Sequence, residues 1–122
     1  MIKLMAFVSR LPHLDREAFK TYYEEKHAPM VLGLVAGVKS YERNYPEVAK
    51  FRPPEGQTVD DVVDFDAVTI LRFDDREGLD TFKKAMRDPE VARRIAEDEA
   101  NFLDSTKSIM FVVDERLSAI GG

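Results

Sequence analysis

Residues 64–91, DFDAVTILRFDDREGLDTFKKAMRDPEV, read as a strand followed directly by two helices. The β-branched and aromatic run 64–73 predicts a strand with apolar residues on both faces. Asp75 then stands as an N-cap before Leu79, Phe82 and Met86, which recur at helical spacing. Asp88-Pro89 ends that helix and starts another, because aspartate caps a helix and proline fits its first turn.

Working outward toward the C-terminus, Val91, Ala92, Ile95, Ala96, Phe102 and Leu103 keep one apolar side, interrupted by Asp98 and Glu99. Residues 105–117 return to a strand pattern. Toward the N-terminus, the 47–63 stretch holds Pro53-Pro54-Glu55-Gly56 and Asp60-Asp61 and shows no periodicity. A loop of that length in a small domain is uncommon and is usually functional or mobile. Residues 38–45, VKSYERNY, alternate as a strand closed by Pro46, and residues 1–9, MIKLMAFVS, alternate with apolar side chains on both faces. Asp15 caps a helix expected over 16–27. Pro29 disfavours the α conformation of Ala28, so the helix should end or kink there, before the apolar stretch 30–36.

The resulting order, βαββααβ, is α+β: a ferredoxin-like split βαβ with an added helix, in one domain spanning 1–122. Its helices should cover one face of a four-stranded antiparallel sheet. The other face would carry Met5, Phe7, Ile109, Phe111 and Val113, a patch too apolar to leave in water. Either a second copy of the chain covers it, giving a homodimer with the two sheets closed into a barrel, or the long loop folds back over it. Met5, Phe7 and Phe111, with Tyr41, are the residues expected to line a ligand space.

With 122 residues and a net charge of −5 the chain offers no basic cluster for a phosphate backbone, so no nucleic-acid partner is expected. Zero cysteines exclude a disulfide framework, a thiolate metal site and a cysteine nucleophile. The two histidines, His13 and His27, lack metal-ligand spacing, and no phosphate loop, dinucleotide fingerprint or nucleophile elbow is present, so neither a metal nor a cofactor is expected. No apolar run is long enough to span a bilayer, and the first residues enter a strand pattern rather than a leader, so no membrane association and a cytoplasmic location are the expectation.

His27 is the first candidate for chemistry, because Phe19, Tyr23 and His27 lie at i, i+4 and i+8 on a stripe that must face the core. It reads either as a general acid/base at an apolar cavity or as a helix-end histidine satisfying late carbonyls. Tyr22, Tyr23, Tyr41 and Tyr45 offer phenols to a bound oxyanion or pack as core with hydroxyls at its edge. Arg43, on the same strand face as Tyr41 and Tyr45, lines a polar wall or is solvated. Asp66 and Asp98 are candidate acids for orienting the histidine, with surface exposure as the default for both and for Glu99.

The helix motif Phe19-x-x-Tyr22-Tyr23-x-x-x-His27-x-Pro29, with the first strand, Gly37-Val38, Asp66-Ala67-Val68, the segment Glu99-Ala100-Asn101-Phe102-x-Asp104 and Phe111-Val112-Val113, resembles the EthD family over most of the chain. The family is named for a protein of ethyl tert-butyl ether degradation and sits among the dimeric α+β barrels, beside methylmuconolactone isomerases, polyketide cyclases and cofactor-independent monooxygenases. The resemblance implies the barrel dimer and no cofactor, and it makes His27 an acid/base with Tyr23 beside it. The function it implies is a cofactor-independent enzyme of isomerase, cyclase or dehydratase type, acting on a small apolar oxygenated or aromatic compound. A non-catalytic binding or accessory protein and a cofactor-independent monooxygenase are the alternatives. The 47–63 insertion and the absence of tryptophan depart from the family.

Overall fold

Four strands pair antiparallel in the order β2-β3-β1-β4 in the computed structural model, which describes residues 2–121. Met1 and Gly122, read from the sequence as strand start and chain end, lie outside the described residues. The elements are β1 (Ile2–Val8), α1 (Arg16–Tyr22), a π-helical turn (Tyr23–His27), α2 (Ala28–Leu34), β2 (Ser40–Asn44), α3 (Val59–Val62), β3 (Ala67–Phe73), α4 (Arg76–Arg87), α5 (Pro89–Glu99) and β4 (Ile109–Asp114). The α+β sheet with helices is the expected one.

Register decides which side chains meet. Leu4, Ala6 and Val8 of β1 stand opposite Leu71, Thr69 and Ala67 of β3, and all six are buried beneath the helices. Phe19, Leu79, Phe82, Ile95 and Phe102 complete that core. Full burial of Phe19, Phe73 and Phe102 stabilises the fold by about 1.5–3 kcal/mol each. Asp15, Asp75 and Asp88 cap as the sequence indicates, accepting from the backbone N–H groups of Ala18, Gly78 and both Glu90 and Val91.

Pro29 does not end the first helix. Proline lacks an N–H and crowds the carbonyl four residues back. The chain widens ahead of it into the π turn, where the Ala28 N–H reaches the Tyr23 carbonyl, and α2 then runs on to Leu34, into the apolar stretch 30–36. β4 starts later than expected because Asp104 ties residues 104–107 into a turn, accepting from the Thr106 and Lys107 N–H groups. The long loop carries α3, closed by a Thr58–Asp61 capping box, and leans on α1 through Arg16–Asp60 at 2.6 Å. Phe65, just after the loop, meets Phe7 edge-on, and Ile109 and Phe111 stay 53% and 47% exposed.

Candidate functional site

His27 closes the π turn. The extra residue in that turn lets Tyr23, His27 and Ala28 all point inward, with His27 only 4% exposed. Its ring packs on Phe102 at 4.8 Å and Tyr23 at 5.6 Å between centroids. From α5 comes Asp98, whose Oδ2 lies 2.7 Å from His27 Nδ1. The other oxygen, Oδ1, accepts from the Tyr22 hydroxyl at 2.7 Å, and that hydroxyl accepts from Asn101 Nδ2 at 3.0 Å. A carboxylate at Nδ1 assigns the proton to that nitrogen and leaves the lone pair on Nε2. Burial pushes the imidazole below its ordinary 6.5, against the opposing pull of Asp98. The result is a neutral, oriented base.

The ring opens on a cavity of about 80 Å³ between the helices and the sheet, bordered also by Tyr23, Tyr41, Thr69, Leu71 and Glu99. That is roughly half the ~150 Å³ apolar cavity that takes up benzene, so it accommodates only the reacting end of a larger molecule. A groove of about 370 Å³ between α4 and β4 borders the same Phe82, Met86 and Met110, and flexible methionines form the boundary between the two spaces. The hollows of about 270 and 410 Å³ beneath the long loop are larger. Most of the charges in their walls are paired, as Arg16 is with Asp60 and Asp66, and no histidine or tyrosine lines them.

Tyr23 and Tyr41 also line the cavity. The Tyr23 hydroxyl is 2.6 Å from Thr69 Oγ1, and the Tyr41 hydroxyl lies 3.5 Å from Tyr23. Burial raises both phenols above their ordinary 10.0, so each remains an O–H donor. Behind them Arg43 grips Glu24 with two bonds of 2.8 and 2.9 Å, and the Tyr45 hydroxyl donates to Glu24 at 2.5 Å. The guanidinium holds the Glu24 carboxyl down at about 2.

The structure brings together His27, Tyr23, Tyr41 and Asp98 from the sequence candidates. It separates the rest. Asp66 sits at the start of β3, accepting from the Arg10 N–H at 2.8 Å and from Arg16 Nε at 3.2 Å, so it orients two arginines rather than the histidine. Met5 and Phe7 lie on the opposite face of the sheet, paired across it with Phe111 and Ile109. Phe111 borders the α4–β4 groove and not the histidine cavity. Thr69 gives no sequence signal apart from its partner Tyr23. Tyr22, one of the candidate phenols, meets Asp98 instead of the cavity, and Glu99, for which surface exposure is the sequence default, lies one helical turn beyond buried Ile95 and hence on the core side of α5. Among the described residues no group of three or more His, Cys, Asp or Glu side chains is arranged to hold a metal ion, and no helix is long and apolar enough to cross a membrane.

Known proteins resemble both sequence and fold. The conidial pigment biosynthesis dehydratase EthD of Metarhizium robertsii is 27% identical over 109 residues, covering 84% of this chain and 74% of the relative. A solved EthD family protein from Bacillus halodurans superposes with a TM-score of 0.60 at 22% identity, over 95% of this chain and 99% of that one. An EthD-like protein from Ralstonia eutropha gives 0.63 at 21% identity, over 98% and 95%. At those identities the two structures attest the fold alone. The EthD domain model matches residues 11–106, the span that contributes His27, Asp98 and the π turn between helices, and the chain belongs to the EthD domain family.

Proposed function

We propose that this protein is an enzyme of lyase or isomerase type in which His27, oriented by Asp98, removes a proton next to the carbonyl of a small apolar, oxygenated or aromatic compound. The observation that carries the reading is the 2.7 Å His27–Asp98 bond at the wall of a mostly apolar cavity. A base whose ordinary pKa lies near neutrality, lowered by burial, is unprotonated at working pH and ready to accept. Tyr23 and Tyr41 stay protonated and supply hydrogen bonds to the enolate oxygen that develops. The dehydratase name of the Metarhizium relative accords with a reaction that begins by breaking such a C–H bond.

The working unit in this reading is a homodimer joined through the open sheet faces, with exposed Ile109 and Phe111 at its centre. Incubation with 2-tetralone, an apolar aromatic ketone, in deuterated buffer tests the chemistry by NMR. The wild type should exchange the protons next to the carbonyl, and His27→Ala should lower that rate by about 10²-fold or more. Equal rates for the two proteins contradict the reading, and saturable binding without exchange assigns the protein to the non-catalytic class.

A further inference from the structure

Glu99 has no role in the chemistry described so far. It stands on the core-facing side of α5, one turn past buried Ile95, and opens on the same cavity as His27. Its carboxyl makes no hydrogen bond or ion pair with any described residue. The residue is half-buried, and its unpaired carboxyl at the edge of a mostly apolar cavity is placed to meet a bound molecule. The titratable groups facing it are Asp98 on its own helix, His27 and Tyr23 from the π turn and Tyr41 from β2. The sheet strands β1 and β3 and the helices α2 and α4 offer the cavity only uncharged side chains. Among the described residues no lysine or arginine lines the cavity to hold a carboxylate, and the Asp98 charge opposes one.

We infer that Glu99 is the acid partner of His27, protonating a hydroxyl leaving group, and that the site therefore takes β-hydroxy carbonyl compounds and removes water from them. This rests on the reading of His27 as the base. The C–H bond next to the carbonyl breaks and its proton passes to His27 Nε2. The electron pair left behind forms the new carbon–carbon double bond as the β C–O bond breaks, and the Glu99 proton joins the departing hydroxyl to give water. Passing the proton from His27 to Glu99 restores both groups, so the balance is one substrate to one unsaturated carbonyl and one water. Two titratable groups whose environments drive them apart mark an acid and a base: burial lowers His27, and burial with the Asp98 charge raises Glu99 above 4.5.

The probe is 3-hydroxy-1-tetralone in deuterated buffer, which yields 1-naphthol on losing water. Absorbance follows dehydration and NMR follows deuteration next to the carbonyl. Glu99→Gln should lower dehydration by about 10²-fold or more and lower it far further than it lowers deuteration, a split that loss of structure would not produce. Glu99→Asp should restore part of the dehydration, and His27→Ala should lose both signals. Wild-type dehydration by Glu99→Gln with an inert His27→Ala overturns the role of Glu99 and leaves the base standing. Full activity in both variants overturns both. A readout free of turnover is the ¹³C titration of the Glu99 carboxyl in the unliganded protein: a midpoint above 4.5 supports the inference, and titration with the surface glutamates overturns it.

Discussion

At the scale of single residues, the function turns on what each nitrogen of one imidazole touches. His27 Nδ1 is fixed by Asp98, which is itself fixed by Tyr22, and this leaves Nε2 toward the cavity. Asp98→Asn removes the charge that steadies an imidazolium and allows the other tautomer. It should lower exchange of 2-tetralone by about 10²-fold or more and destabilise the fold by about 1–3 kcal/mol, read from NMR rates and a urea melt. The inward position of His27 was legible, because Phe19 and Tyr23 set the stripe on which it lies. Its partner was not: Asp98 is 71 residues away, and only the packing of α5 against the π turn joins them. Asp66 and Asp98 look alike in sequence, since each interrupts an apolar pattern, one a strand run and the other a helix stripe, and tertiary contacts alone assign one to arginines and the other to histidine.

Among the elements, the joints position the site. The π turn sets the angle between α1 and α2. At the end of α2, Gly37 takes φ +89° and passes so near α4 that a Cβ there would lie 2.4 Å from the Gly78 carbonyl oxygen. Gly37→Ala should therefore combine left-handed strain with a backbone clash and destabilise the domain by about 2–3 kcal/mol, measured by denaturant unfolding. That is a large share of the 5–15 kcal/mol typical of a domain. The capped helix starts at Asp15, Asp75 and Asp88 could be read directly because a cap is local chemistry. The π turn could not, since the rule for proline states what is disfavoured and leaves the chain two ways to comply. The sequence pattern also overran the strands at 64–66 and 105–108, where side chains and turns take the hydrogen bonds a ladder would use.

For the whole molecule, the sheet has two apolar faces with different tasks. One buries Leu4, Ala6 and Val8 under the helices beside the histidine cavity, and the other presents Met5, Phe7, Ile109 and Phe111. Alternation assigns Met5, Phe7, Ile109 and Phe111 to the face away from the helices, where the structure has them, but it carries no information on which side of the sheet holds the cavity. Hence residues of the open face were grouped with the histidine they do not meet. The proposed homodimer gives that face its partner: Phe111→Glu, placing a charge in the contact, should convert a dimer to a monomer in size-exclusion chromatography with light scattering. A wild-type protein that elutes as a monomer contradicts the dimer without touching the chemistry of the cavity.

The central claim is that His27 is a buried, neutral base with its proton held at Nδ1. The most direct measurement is a ¹⁵N NMR titration of the imidazoles, with exposed His13 as the reference in the same spectrum. The account predicts a His27 ring that is neutral at neutral pH, protonated on Nδ1, and titrating below 6.5. A ring that is charged at neutral pH, or one that carries its single proton on Nε2, would contradict it.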